Sequence, residues 1–259
     1  MTTAKQVHAL LRGLGIEKNE TVLMHTSMRA IGEVEGGCDG LIDAFTSYLS
    51  DGLFVIPTHT WGIVGKITPI YDVRATVPCI GALPTVAATR ADGVRSLHPT
   101  HSVTAFGKDA EDFVSGEEKV TSPCPPDGCW ARLYDRDAKI LLVGVEQNRN
   151  TYIHAVDEMI DLPGRLREPI PLTVLDREGR EHKILFRKHG NTGSEHFTNY
   201  QKPLDACGAL TYGTLGGAKV ICCNARRLTE VIKHLWSRTD YDLCAEEREI
   251  PEALYADLL

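Results

Sequence analysis

The sequence predicts an α/β protein, with helices around a central mixed β-sheet and a late antiparallel hairpin. Short apolar segments alternate with helical patterns along most of the chain, which is typical of an α/β core. Two alternating segments, 170–176 and 182–187, flank a turn and predict the hairpin. Because a hairpin in a βα-ordered chain argues against a purely parallel sheet, we expect mixed strand directions. One domain is expected to cover residues 1–259.

The predicted elements follow the chain in order. Helical periodicity and the position of neighbouring strands predict helices over 4–15, 38–49, 82–92, 130–134, 152–160 and 225–236. Short apolar runs predict buried strands over 21–25, 53–57, 102–106 and 140–145. The stretch 62–84 is irregular and contains prolines, so we expect a long loop that covers a site, and 122–129 is a second irregular stretch.

Composition and charge argue against several classes of protein. With 42% hydrophobic and 24% charged residues, the chain is an ordinary globular protein with a large core. The formal net charge of −7 argues against nucleic acid as a partner and favours a polycationic small molecule. No apolar run approaches the roughly 18–20 residues of a membrane span, and the first residues form a polar helical pattern rather than a secretion signal. We therefore expect a soluble, cytoplasmic protein whose eight cysteines are reduced.

Histidines mark the loops that are expected to follow the strands. Loops at the carboxyl ends of strands build the sites of α/β folds, and four of them, 25–29, 58–61, 98–103 and 146–158, each contain a histidine. His154 lies one turn into the helix after the strongest strand, and Asp157 and Glu158 follow on the same helix face. A neighbouring carboxylate can fix the tautomer of an imidazole and raise its basicity. The same spacing also fits an ordinary surface pair, so the local pattern leaves both interpretations open.

Several short motifs occur in a fixed order along most of the chain. They are VLMHTSMRAIG at 22–32, VIPT at 55–58, YD at 71–72, RSLHP at 95–99, SP at 122–123, ILLVGV at 140–145, NTYIH at 150–154 and GTLGGA at 213–218. In this order they resemble the aminoglycoside 3-N-acetyltransferase family. The resemblance implies direct transfer of an acetyl group from acetyl-CoA to an amine of an aminoglycoside or another small amine.

The resemblance also implies a catalytic role for His154, which would deprotonate the attacking amine while a carboxylate orients it. An ammonium group is not a nucleophile, so a base with a pKa near 7 must remove a proton. The family has a glutamate three residues after this histidine, whereas this chain has Asp157 there and Glu158 next to it. Either carboxylate is therefore a candidate partner.

Two groups of binding residues are implied by the same resemblance. Those expected to line the acyl-donor slot are Thr26, Ser27, Met28, Arg29, Ser102, Val103 and Ser122. Those expected to face the acceptor amine are Asp72, Glu146 and His189. The run Arg187-Lys188-His189 is basic where antibiotic-modifying members of the family are acidic. It predicts poor recognition of polycationic aminoglycosides.

Other classes of function stay open at this stage. A metal-dependent hydrolase would use several histidines as metal ligands, drawn from His25, His59, His98, His101 and His154. The motif His98-Pro99-Thr100-His101 lacks a matched carboxylate. Cys124 and Cys129 lack a second pair with zinc spacing, so no metal is expected. Covalent catalysis through a cysteine or Ser27 and a noncatalytic CoA-binding homologue are the remaining alternatives. The sequence leaves the acceptor amine and the oligomeric state undetermined.

Overall fold

The computed structural model describes residues 1–190 and 194–259. The strands in these ranges are β1 (Thr21–Thr26), β2 (Leu53–Pro57), β3 (Ile70–Asp72), β4 (Val94–Arg95), β5 (Val103–Phe106), β6 (Lys139–Val143), β7 (Leu166–Leu175), β8 (Glu181–His189), β9 (Leu210–Leu215) and β10 (Ala218–Asn224). The α-helices are α1 (Ala4–Gly13), α2 (Met28–Ile31), α3 (Gly37–Tyr48), α4 (Ala82–Ala87), α5 (Ala110–Phe113), α6 (Cys129–Asp135), α7 (Tyr152–Met159), α8 (Gln201–Ala206) and α9 (Ala225–Ser237). Short 3₁₀ turns cover Glu117–Lys119, Gln147–Arg149, Ser194–Tyr200, Glu252–Leu254 and Ala256–Leu258.

The central sheet has mixed strand directions, as predicted. Its seven strands are ordered β4-β5-β2-β1-β6-β10-β9, and β1 runs parallel to both β2 and β6. The outer pairings of β5 with β2 and of β10 with β6 are antiparallel. The carboxyl ends of β1, β2 and β6 therefore meet at one edge of the sheet.

Both faces of this sheet are covered, which explains why its middle strands have continuous apolar sequences. Leu23 and Ile140, which are register partners, pack on the side of α6, α7 and α9. Met24 and Leu141, the next partners in the register, pack on the side of α1 and α3. All four side chains are buried, so each face of β1 and β6 contributes to a different half of the core.

The predicted hairpin is present as β7 and β8, in antiparallel register, and it is longer than predicted. It belongs to a second, three-stranded sheet of order β3-β7-β8, in which β3 pairs with β7 in parallel. The sequence did not predict β3, which lies within the stretch expected to be a loop. A small core that includes Tyr71, Val174 and Phe186 stabilises this sheet.

Two further details differ from the predicted elements. The helix predicted over 82–92 is too long, because α4 ends at Ala87 and Arg90 then binds Asp39 and Asp43 of α3. The glycine-rich segment near the end of the chain forms the hairpin β9–β10, whose turn contains Gly216 at φ +58°. A Cβ there would lie 2.3 Å from the carbonyl oxygen of Ile31, so this turn requires glycine.

None of the helices in the two described ranges combines the length and the apolar composition that a transmembrane helix requires.

Candidate active site

A pocket of ≈ 1160 Å³ opens at the carboxyl edge of the central sheet. Its wall contains His25 and Thr26 from the end of β1, Val145 from just after β6, and Lys188 and His189 from the end of β8. The pocket is therefore built where the two sheets approach each other. In α/β folds this edge is the usual place for a ligand.

Five histidines line the pocket, and we call them the histidine cluster: His25, His59, His101, His154 and His189. Their rings form a nearly continuous row. The ring centroids of His59 and His101 are 4.8 Å apart, those of His101 and His189 are 5.2 Å apart, and those of His189 and His154 are 4.1 Å apart. The ring of Trp130 contacts those of His25 and His59 from the core side.

Burial makes the histidine cluster electrically neutral at neutral pH. Desolvation lowers the pKa of His25 and of His189 to about 3. The pKa of His59, His101 and His154 is also well below its usual value, first through burial and then through the charge of neighbouring histidines. The direction of the shift at His154 is thus away from the pKa near 7 that the sequence led us to expect, with burial as the largest cause.

The local sequence fixes the position of His154. Asn150 donates from its side chain to Gln147 Oε1 and accepts a hydrogen bond from the backbone N–H of Tyr152, which starts α7. Tyr152 shares a hydrogen bond of 2.7 Å with Thr229 of α9, and this bond fixes the helix against the core. The first turn of α7 therefore holds His154 at the pocket, where Phe197 packs against its ring edge to face.

The two carboxylates after His154 have different partners, and neither is hydrogen-bonded to His154 among the residues that the structure describes. Asp157 is buried 3.3 Å from Arg165 Nε. Glu158 accepts hydrogen bonds from the Ser122 hydroxyl and the Cys124 N–H, and its Oε1 lies 3.2 Å from His189 Nε2. The direct pairing of either carboxylate with His154 is thus not present: Glu158 is bound by Ser122 and Cys124, and Asp157 lies beside Arg165.

Burial raises the pKa of both carboxyl groups to about 7. For Glu158 the hydrogen bonds from Ser122 and Cys124 act in the opposite direction, which keeps its charged form accessible near neutral pH. Glu158 contacts His189, and the His189 ring packs on that of His154. A titratable acid is therefore connected to His154 through one intervening imidazole.

The residues expected at the acyl-donor slot are dispersed. Thr26 lines the pocket, with a hydroxyl that is buried and has no hydrogen-bond partner in the described part of the chain. Ser27 accepts a hydrogen bond from the Ala30 N–H and so caps α2, the helix that contains Met28 and Arg29. Ser27, Met28 and Arg29 are not part of the described pocket wall.

The remaining donor-slot candidates lie below the pocket surface. Ser102 donates its hydroxyl hydrogen to the Thr58 carbonyl oxygen at 2.6 Å, and Val103 is buried at the start of β5. Ser122 is bound to Glu158. These side chains are enclosed by the core, so they support the pocket from behind rather than form its described wall.

Of the predicted acceptor-side residues, His189 lines the pocket, whereas Asp72 and Glu146 are not in its described wall. Outside the described wall, the Arg74 guanidinium donates two hydrogen bonds to the Asp72 carboxylate. Lys188 lies in the wall and donates to the carbonyl oxygens of Trp61 and Val64.

The histidines proposed as metal ligands do not converge in the described ranges. No three of His25, His59, His98, His101 and His154 place ligating atoms within 4.8 Å of one another. His98 is occupied instead, because its Nδ1 accepts from the backbone N–H groups of Thr100 and His101 and its Nε2 lies 3.2 Å from the Ser122 carbonyl oxygen. This arrangement gives the metal-dependent hydrolase no support.

Sequence patterns missed several residues of the pocket wall, including Phe197, Arg149 and the half-exposed Trp61. Phe197 lies in a 3₁₀ turn with no apolar periodicity, and no local signal distinguishes it. Arg149 and Trp61 lie in loops that were expected to form the site, so their position could have been found from the loops alone.

A mixed α/β fold with a buried polar pocket at the carboxyl edge of its sheet is typical of an enzyme of small-molecule chemistry. A model of the aminoglycoside 3-N-acetyltransferase family matches residues 23–237, and the chain belongs to this family.

Individual relatives are similar to this chain over most of its length. The SPbeta prophage-derived aminoglycoside N(3')-acetyltransferase-like protein YokD of Bacillus subtilis (strain 168) is 25% identical over 253 residues, which cover 89% of each chain. Aminoglycoside N(3)-acetyltransferase VII of Streptomyces paromomycinus is 26% identical over 254 residues, which cover 85% of this chain and 86% of that protein. A solved structure of AAC-IIIb, a binary complex with CoASH, superposes with a TM-score of 0.78 at 20% identity and covers 93% of this chain and 98% of that one, so the fold is shared.

Proposed function

We propose that this chain is an acetyl-CoA-dependent N-acetyltransferase of small amines, and that His154 is its general base. The observation that carries the proposal is a pocket wall with unpaired polar atoms in a member of this family. His25 Nε2, Thr26 Oγ1 and His59 Nε2 line the pocket and have no hydrogen-bond partner in the described residues. Buried polar groups are normally paired, so these three atoms favour a polar ligand.

The state of His154 suits the removal of a proton. Burial keeps its imidazole neutral near pH 7, so a ring nitrogen is available to accept a proton. The N–H of an amine becomes strongly acidic as the nitrogen bonds to the thioester carbon, and a weak neutral base is then sufficient. His154 would take this proton and return it to the departing CoA thiolate, so no covalent enzyme intermediate is required.

Glu158 and His189 would position His154 as a pair. Glu158 is held by Ser122 and by the Cys124 N–H, and it fixes one nitrogen of His189. The His189 ring in turn packs on His154 at a centroid distance of 4.1 Å. In this proposal Glu158 takes the orienting role that the sequence left between two carboxylates, and Asp157 stabilises the fold through Arg165.

The donor is proposed to be acetyl-CoA, in line with the CoASH complex of AAC-IIIb. The pocket supplies the Thr26 hydroxyl for a polar group of the donor and the exposed Arg149 for an anionic one. Arginine is well suited to phosphate recognition because its donors are fixed in a planar fork.

The acceptor is proposed to be a small amine with few positive charges. Lys188 places an ammonium group in the pocket wall, and Arg149 lies there too. Of the two carboxylates in the described wall, Asp242 accepts two hydrogen bonds from Arg165, and Glu195 is exposed. A polycation would therefore meet more repulsion here than in an acidic pocket.

One assay tests this function: the consumption of acetyl-CoA by purified protein with aminoglycosides, with other small amines and with buffer alone. We expect CoA release that depends on an added amine and persists with a chelator present. CoA release at the buffer rate with every amine, together with no heat of binding at millimolar CoA, would reject the proposal.

A further inference from the structure

Behind the pocket wall, three side chains of different chemistry point at one another. A ligating atom of each of Cys124, Glu158 and His189 lies within 4.8 Å of those of the other two. The three come from the irregular stretch after the Glu117–Lys119 turn, from the end of α7 and from the end of β8. Of all the groups of histidine, cysteine and acidic residues in the described ranges, this is the set whose geometry could hold a metal ion.

We propose that Cys124, Glu158 and His189 form an inhibitory binding site for a thiophilic divalent cation of the Zn²⁺ class. Thiolate, imidazole and carboxylate are the three ligand types that Zn²⁺ uses, whereas Mg²⁺ and Ca²⁺ take oxygen ligands alone. Three protein ligands would leave one position of a tetrahedron for water. The thiol of Cys124 releases its proton to the buffer when the ion binds.

The surroundings of the three ligands are already ordered. The Ser122 hydroxyl donates to Glu158 Oε2, and the backbone N–H of Cys124 donates to Oε1 at 2.8 Å. Such hydrogen bonds to a ligating carboxylate fix its direction and strengthen a metal site. Cys124 is fully buried, whereas His189 lines the pocket, so an ion would reach the site past His189.

Occupation of this site would stop the proposed acetyl transfer, because it removes a contact that positions His154. The ion would replace the contact of 3.2 Å between Glu158 Oε1 and His189 Nε2, which removes the pairing that holds the ring beside His154. Inhibition is thus expected without loss of the fold.

Titration of the purified full chain with Co²⁺ measures binding independently of activity. We expect one equivalent to bind with a thiolate-to-cobalt charge-transfer band, which Zn²⁺ displaces and Mg²⁺ does not. Cys124→Ser should remove the band. Cys79→Ser is the matched control, because Cys79 is an exposed thiol of the same pocket wall outside the three ligands. It should retain the band.

Two further measurements keep the result interpretable. Ser122→Ala should weaken Co²⁺ binding roughly 10–100-fold, as expected when a hydrogen bond to a ligating carboxylate is lost, and thermal unfolding checks that each variant folds. Stoichiometric Zn²⁺ should inhibit the wild-type reaction, and a chelator should restore it. The absence of a band in the wild type, a band that persists in Cys124→Ser, or full activity with the metal bound would each overturn the proposal. Because the band needs no turnover, failure of the proposed acetyl transfer would leave the binding result intact.

Discussion

The two sheets contribute to the pocket in different ways. The central sheet, whose two faces are buried in a large core, contributes His25 directly. His154 comes from α7, which packs on this sheet. The small sheet presents Lys188 and His189 from the end of β8, and a much smaller core stabilises it. The difference suggests a division of roles under the proposed function: α7, packed on the central sheet, would hold the base, and the small sheet would set its orientation and the charge that the acceptor meets.

The largest effect is expected from His154→Ala, on the helix α7 that packs against the central sheet. Removal of a general base typically costs on the order of 10²–10⁴-fold in rate, and CoA affinity should stay nearly unchanged because the imidazole acts on the amine. Steady-state kinetics and calorimetry with CoA measure the two quantities.

The matched control for this variant is His234→Ala, since His234 lies on α9 and pairs with Asp257 away from the pocket. It should retain the wild-type rate. An undiminished kcat of His154→Ala at neutral pH would remove this residue from the mechanism and return the search to His25, His59, His98 and His189.

The second prediction compares the neighbouring carboxylates. Glu158→Gln should lower kcat about 10–100-fold, the usual contribution of a group that orients a functional histidine. Asp157→Asn should change kcat little and lower the free energy of unfolding, because Arg165 loses a buried partner. Kinetics and urea unfolding of both variants separate the roles. A larger loss of kcat in Asp157→Asn would reverse the assignment.

The third prediction concerns Glu117, whose pKa burial also raises to about 7 although its partner is the Cys129 N–H and no histidine. Because the folded pKa exceeds the unfolded value of 4.5, this group stabilises the fold below about pH 4.5 and loses that contribution as the pH rises through 7. Between pH 5 and 8 the loss is about 2–3 kcal/mol.

Glu117→Gln removes this titration. Between pH 5 and 8 the free energy of unfolding of the wild type should therefore fall by about 2–3 kcal/mol more than that of the variant. Urea unfolding at the two pH values measures it, and the rate of acetyl transfer serves as the control that should stay close to wild type. An equal pH dependence in both proteins would contradict the raised pKa.

The smallest effect is expected at the small sheet. Lys188→Gln removes one positive charge from the pocket wall and should raise kcat/KM for a polycationic acceptor about fivefold, or roughly 1 kcal/mol, with little change for a monoamine. Lys183→Gln, at an exposed position of the same strand, is the control and should leave both values unchanged. Equal effects of the two substitutions would show that Lys188 does not face the acceptor.

The sequence by itself determined the middle strands of the central sheet and pointed to the candidate base. The apolar runs of β1, β2 and β6 predicted their strands because both faces of each strand are buried, and burial is the property that an apolar run reports. The place of His154 near the end of β6 could be predicted because only one loop and one helical turn separate them, whereas its role as the candidate base was implied by the family resemblance.

The tertiary structure alone decided which groups surround that base. Glu158 and His189 are 31 positions apart, and the packing of β8 against the end of α7, rather than any periodicity, brings them to 3.2 Å. Asp157 lies instead beside Arg165, just before β7, so neither carboxylate pairs with His154 among the described residues. Local patterns report which face of an element is buried, but the partner of a buried polar group depends on elements far along the chain, so the sequence could name these residues and could not pair them.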